Sequence, residues 1–537
     1  MKVVQTFWSG NREQILQNAF GWHGAAYHIQ SWALSCQLLR RLYEKVELYT
    51  DETGYNFLVK QLKLPYTKVH VVLDDLNHYD TSVWALSKIR TYSLQTSPFI
   101  HVDGDVFLWK KFSDELLKSD LIIQNREIGN RYFESSWEIL ESKLDFIPSE
   151  ILNHRQNEPA VNVHNFGIFG GKDLDFIQEY SKKAFEFVDK NLAVLDSIQE
   201  FNFNIFFEQY LFYCMSQGRE VSSYFDRDFI PDQYKGLASF EDVPNTRSYL
   251  HLLGDFKSNP QVCCNMSRQL SIEFPEQYLS CLQLFNSLEQ RIFNIQNNKE
   301  ILDQNLLTSS FSSFYQPIPF HQKFSHSRKM VELYFRGFTN PPNSQMESIE
   351  ALEKIVTKVD DESVRSMFQY ELQIDGYLSS LNELNLTEYS RHEYHQKKHY
   401  SSFIALYNQF EFKQTSSHTM IKKVIYAVTS TATNKVTPME VSRLIVPSVK
   451  APFYHEITLD DLEEAILSES HTSLTIDQLL KAMEKYFHKD DLVNNYTNYQ
   501  RLIYNSVKRL SYQRALDFQL VENEILSRRI DTNLECL

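Results

Sequence analysis

The sequence predicts an α/β protein: a mostly parallel, doubly wound sheet with helices on both faces, followed by a mainly α-helical C-terminal domain. Two observations carry this expectation. From Val3 to about Glu127, short β-rich runs alternate with stretches of helical periodicity, the order that parallel strands require because each crossover needs a helix. Beyond about residue 330 the periodicity is helical nearly throughout. A chain of 537 residues is also too long for one core, so more than one domain is expected.

The elements follow in order. VVQTF (Val3–Phe7) reads as a strand and SWALSCQLLRRLYE (Ser31–Glu44) as a helix. VELYT (Val46–Thr50) is the second strand, YNFLVKQL (Tyr55–Leu62) a helix, and KVHVVL (Lys68–Leu73) the third strand. SVWALSKIRTYSLQ (Ser82–Gln95) reads as a helix, FIHVD (Phe99–Asp103) as the fourth strand and LIIQN (Leu121–Asn125) as the fifth. In such sheets ligands bind at the carboxyl ends of the strands, and Asp103 stands at one. The predicted organisation is a first domain over 1–295, a Ser/Asn/Gln-rich linker or irregular crossing over 296–330, and a helical domain over 331–537 expected to serve acceptor recognition or oligomerisation. In the last, Ser348–Val359, Ser363–Leu381, Thr475–Phe487 and Asn498–Leu510 carry helical periodicity.

Composition narrows the partners. Lys+Arg number 54 against 69 Asp+Glu, a net charge of -15, which argues against a general nucleic-acid binder. The start, MKVVQTFWSG, lacks the apolar core of a signal peptide, and no run reaches membrane-spanning length. The six cysteines follow neither a disulfide framework nor a zinc spacing. A soluble, cytoplasmic protein without an integral membrane segment is expected.

Within SPFIHVDGDVFLW (Ser97–Trp109), Asp103 and Asp105 interrupt an apolar run around Gly104. Aspartates are poor strand formers and costly to bury without a partner. Two carboxylates shown by a turn at a strand end suit a hard divalent cation. Asp173-Leu-Asp175 and Asp226-Arg-Asp228 share the spacing, but the first opens a helical run, where acidic residues cap, and neither follows an apolar strand. Far downstream, SYLHLLGDFKSNP places His251 and Lys257 around Gly254 as H-x-x-G-x-x-K. An imidazole adds a nitrogen ligand for manganese, and a lysine beyond a glycine turn meets a phosphate.

Together these motifs resemble the GT-A glycosyltransferases, and among them the retaining family of glycogenin and the bacterial lipopolysaccharide galactosyltransferases, over about residues 1–289. The resemblance implies that Asp103, Asp105 and His251 ligate Mn²⁺ (or Mg²⁺). It also implies that Lys257 touches the β-phosphate of a UDP-sugar, with Gly104 and Gly254 among the nucleotide-sugar contacts. Where the family pattern continues Lys-Pro-Trp, this chain has Lys257-Ser258-Asn259. Asn165, Phe166 and Gly167 in VHNFGIFGG are similar to the family's F-N-x-G segment lining the acceptor and sugar pocket, with the order changed. Glu208 and Gln209 resemble the Asp-Gln pair beside the anomeric carbon, and Lys88 and Arg90 a basic position contacting donor phosphate or sugar.

The implied activity is hexosyl transfer from a nucleotide sugar to the hydroxyl of a peptide, protein or glycan, with retention. An inverting enzyme would need a carboxylate base, for which Glu127 and Asp255 are available. Two other functions remain open: a catalytically degenerate GT-A-like binding or scaffold protein, and a GT-A-like nucleotidyltransferase. FWSGNREQ, after the first strand, carries a single glycine (Gly10) in place of the Gly-rich loop expected of the latter.

Overall fold

β1 (Lys2–Phe7) runs through the middle of the larger sheet of a computed structural model. The structure describes residues 1–285 apart from 13 and 199–201, and residues 324–521 apart from 336–346, 381–385, 416–418, 430–435 and 449–453. The chain divides into two units, Met1–Phe285 and Asn286–Leu537.

In the first unit β1 is followed by β2 (Val46–Thr50), β3 (Lys68–Val71), β4 (Phe99–Val102), β5 (Val106–Leu108), β6 (Leu121–Glu127), β7 (Val163–Gly171), β8 (Ser222–Ser223) and β9 (Tyr249–His251). Seven of these form a sheet in the order β3-β2-β1-β4-β7-β6-β8. β1 pairs in parallel with β2 and β4, and β2 with β3, while β7 lies antiparallel between β4 and β6. The sheet is thus mostly parallel, as expected from the alternation of strands and helices.

Strand pleating sends neighbouring residues to opposite faces. Val3, Ile100, Ile122 and Ile168 join one core with Leu39 of helix Ala25–Leu42. Val4, Phe99, Leu121 and Phe169 join another with Ile89 and Tyr92 of helix Leu86–Ser93 and with Ile177 and Tyr180 of helix Leu174–Asp189. Both faces are covered, so β4 and β7 are buried along their whole length. Covered faces explain why these strands read as near-continuous apolar runs.

The second unit departs from expectation. Helices Ile349–Val356, Glu362–Ser380, Leu386–Ala405 and Lys489–Tyr512 are present, but so are two antiparallel sheets. β10 (Phe410–Gln414), β11 (Thr419–Thr429), β12 (Val436–Pro447), β13 (Tyr454–Leu459), β14 (Leu474–Thr475) and β15 (Leu516–Leu520) pair as β14-β10-β15 and β11-β12-β13. This unit is α+β rather than mainly helical. Of the linker expected over 296–330, residues through 323 lie outside the described set, and helix Ser325–Tyr334 begins just after. Among the described residues no helix is long and apolar enough to cross a membrane.

Candidate metal centre

β4 ends at Val102, and the chain turns at once through Asp103, Gly104 and Asp105 into β5. The turn closes with Val106 N–H donating to the carbonyl of Asp103 at 3.1 Å. Helix Ala25–Leu42 supports it from below: Ser31 Oγ donates to the Gly104 carbonyl at 2.7 Å and Ser35 Oγ to the Val106 carbonyl at 2.8 Å. The indole of Trp32 lies under Gly104 so closely that a Cβ there would come within 2.6 Å of it. No residue but glycine fits that contact without displacing Trp32.

β5 then pairs antiparallel with β9, setting Val106 opposite His251. This register brings the distant histidine beside Asp105. Ligand atoms of Asp103, Asp105 and His251 all lie within 4.8 Å of one another, with His251 Nε2 3.5 Å from Asp105 Oδ1. That oxygen is buried and has no hydrogen-bond partner. Two lysines complete the cluster. Lys257, three residues past Gly254, which turns at a left-handed φ of +53°, pairs with Asp105. Lys88 lies 3.1 Å from Asp103 and 2.7 Å from Glu208.

The two aspartates are pushed in opposite directions. Burial drives Asp103 above the ordinary carboxylate range, with Lys88 opposing. Burial also lifts Asp105, but the charges of Lys257 and then His251 outweigh it and hold Asp105 below that range. Burial lowers His251 to about 4, against the attraction of Asp105, so its imidazole is neutral near neutral pH and able to ligate. Two carboxylates with one neutral imidazole are a donor set for a divalent ion such as Mn²⁺. The unpartnered Asp105 Oδ1 and the convergence of the three side chains fit such an ion.

The remaining candidate residues divide. Glu208 and Gln209 lie on a segment wound as π-helix (Ile205–Tyr210), a geometry frequent at functional sites. Glu208 is 1% exposed and joins the cluster through Lys88, and Gln209 Nε2 is 3.4 Å from its carboxylate. Asn165 folds back to accept from the Gly167 N–H at 3.0 Å, and the Gly167 carbonyl accepts from Asp103 N–H at 3.0 Å. Phe166 does not line a pocket. It is 1% exposed and packs on Phe169 and Phe212, because β7 is covered on both faces. Arg90 also stands apart: two residues on from Lys88 it faces the other side of its helix and pairs with Asp75 at 2.6 Å. Asp255 is exposed in the turn before Lys257. Of the other D-x-D pairs, Asp173 does follow an apolar strand, β7, contrary to expectation, but it caps helix Leu174–Asp189 by accepting from Phe176 N–H, and Asp228 pairs with Arg126.

Gln124 was not among the residues expected here. Its Oε1 accepts from the Tyr249 hydroxyl at 2.5 Å and stands 2.7 Å from His251 Nδ1. A polar residue inside the apolar run LIIQN was the available signal.

These features define an α/β protein with an Asp–Asp–His cluster, flanked by lysines, at the carboxyl end of a central strand. The chain belongs to the family of unknown function DUF6734, whose model matches residues 1–284. No curated protein sequence matches it. Among solved structures, the crystal structure of mouse xyloside xylosyltransferase 1 in its apo form is similar over 41% of this chain and 84% of that chain, with 12% identity and a TM-score of 0.24.

Proposed function

We propose that the chain is a metal-dependent glycosyltransferase that moves a sugar from a UDP-sugar to a hydroxyl of a peptide, protein or glycan acceptor, with retention of anomeric configuration. The observation that carries this reading is the convergence of Asp103, Asp105 and His251 between two lysines. Asp103 and Asp105 offer hard oxygen ligands and His251 Nε2 a nitrogen for Mn²⁺ or Mg²⁺. Bound there, such an ion supplies Lewis-acid neutralisation of the departing diphosphate.

The chain's own groups carry the rest. Lys257, raised on the Gly254 turn, provides a fixed positive charge for the β-phosphate. Asp103 is the more open aspartate, with 20% of its side chain exposed against 10% for Asp105, and so the more accessible of the two. Lys88 pairs with Glu208, and we assign Glu208 and Gln209 to the face of the positive charge developing at the anomeric carbon.

The test is a panel of UDP-sugars assayed for Mn²⁺-dependent hydrolysis, alongside thermal shift with UDP. Hydrolysis of one donor that EDTA abolishes supports the proposal; no hydrolysis and no UDP shift with any of them sinks it. The lysines also favour a second reading. Lys88 and Lys257 already pair with both aspartates, as suits a degenerate GT-A-like domain that binds nucleotide through charge alone. A UDP shift that is indifferent to EDTA, without turnover, would select that reading.

A further inference from the structure

Behind His251 runs a line of buried hydrogen bonds that all point one way. The Tyr234 hydroxyl donates to Glu127 Oε2 at 2.7 Å, and its oxygen accepts from Asn125 Nδ2 at 3.1 Å. Asn125 Oδ1 accepts from Gln124 Nε2 at 2.9 Å. Gln124 Oε1 then stands 2.7 Å from His251 Nδ1. The other Glu127 oxygen accepts from Asn130 at 2.9 Å. Gln124 and Asn125 are fully buried, and Glu127 and Tyr234 are each 5% exposed.

The direction of the line follows from its end. A carboxylate accepts and does not donate, so the Tyr234 hydroxyl donates to Glu127 and its oxygen accepts from the Asn125 amide. Asn125 must then face Gln124 with its carbonyl, and Gln124 must face His251 with its own. Amide oxygen and nitrogen are alike in shape, so their orientation is read from such a network. The tyrosine hydroxyl of Tyr249, which donates to the same Gln124 oxygen, agrees with that reading. An imidazole nitrogen meeting a carbonyl oxygen carries the proton, which leaves Nε2 with its lone pair on the side of Asp105. Gly167 makes the room: a Cβ there would lie 2.1 Å from Gln124 Oε1 and 2.5 Å from His251 Nδ1.

We propose that Glu127 is a positioning residue for His251, fixing its imidazole as the Nδ1–H tautomer through Tyr234, Asn125 and Gln124 so that Nε2 is bared toward Asp105. Its consequence for metal affinity rests on the metal-binding reading above; the tautomer is a property of the metal-free chain and is testable by itself.

The experiment uses full-length, histidine-¹⁵N-labelled protein without metal, with the His251 signals identified by their loss in His251→Gln. Wild type should show the Nδ1–H signature alone. Tyr234→Phe, which cuts Glu127 off while keeping the ring, and Gln124→Met should show a mixture of tautomers. Gln124→Glu, which restores an acceptor to His251, should recover the single signature. Mn²⁺ affinity, read from the EPR signal of free Mn²⁺, should weaken about 10-fold or more in the two disrupting variants. Unchanged His251 signals in folded Tyr234→Phe overturn the proposal, and if that variant does not fold, unchanged signals in Gln124→Met do so. A wild type with the single tautomer but no Mn²⁺ binding supports the positioning role and refutes the metal reading.

Discussion

Lys88 Nζ lies 2.7 Å from Oε1 of Glu208, and the same ammonium reaches Asp103 at 3.1 Å. A buried amine thus joins the strand-end turn to the π-helical segment that carries Glu208 and Gln209. Burial pulls the Lys88 ammonium toward its neutral form, but the charges of Asp103 and Glu208 more than offset this and hold it above the ordinary lysine range.

Removing Lys88 therefore leaves the buried Glu208 and the half-buried Asp103 without a counter-charge. Lys88→Met should cost about 3–5 kcal/mol, the usual penalty for breaking one side of a buried pair. Adding Glu208→Gln to that variant should recover part of the loss, because it removes one of the stranded charges. Urea denaturation of the two singles and the double gives the coupling. Strictly additive losses would mean that Lys88 and Glu208 do not interact.

Asp105 stands between Lys257 and His251, outside the apolar cores. Asp105→Ala should abolish UDP-sugar hydrolysis, and with it the metal dependence of UDP binding, while the far-ultraviolet circular dichroism stays that of wild type. EDTA should do the same to the wild-type protein. Full turnover after EDTA treatment and desalting would reject a metal role for the cluster.

The alternation from Val3 to Glu127 was legible because each strand is a short β-branched run and each crossover a helix of different period. The aspartates were legible because they interrupt such a run where it should end. His251 was found through its spacing to Lys257, but its nearness to Asp105 is set by the β5–β9 register, a long-range pairing. Glu208 could be matched to a motif, whereas its burial depends on Lys88 from a distant helix. Phe166 misled because a strand covered on both faces has no pocket side. In the second unit, VIYAV (Val424–Val428) in β11 is a continuous apolar run without a period. Such a run fits a buried helix as well as a strand until its partner is known.

Away from the site, Glu47 lies 3.0 Å from both Lys2 Nζ and His70 Nε2. Burial pushes its carboxyl up, but hydrogen bonds from Lys2 and His70, with their charges, outweigh this and hold it below the ordinary carboxylate range. A depressed carboxyl stabilises the fold above its unfolded-state value, and that stabilisation is lost as the pH falls through the folded-state one. Glu47→Gln should therefore lower stability at neutral pH by no more than about 1 kcal/mol, since the group is partly solvated. The gap between variant and wild type should close as the pH falls through the depressed folded-state value, below the ordinary glutamate range. Urea midpoints measured across that range check it; a gap that widens toward acid would reverse the sign.

The last prediction concerns the second unit. Every residue proposed to hold the metal or the nucleotide falls within Met1–Phe285, and the match to the DUF6734 family stops at residue 284. We expect a chain ending at Phe285 to bind UDP and hydrolyse the UDP-sugar slowly, yet to transfer poorly to its acceptor. Water attacks without a positioning surface, whereas a large acceptor hydroxyl must be oriented, and lost orientation costs orders of magnitude in rate. The comparison begins with circular dichroism and UDP thermal shift, because an unfolded fragment would lose both activities together. If the fragment folds, shifts with UDP and glycosylates the acceptor as fast as the whole chain, acceptor recognition lies within the first unit and the second serves another purpose. If hydrolysis survives while transfer falls at least 100-fold, roughly 2.7 kcal/mol in activation free energy, the second unit is what orients the acceptor.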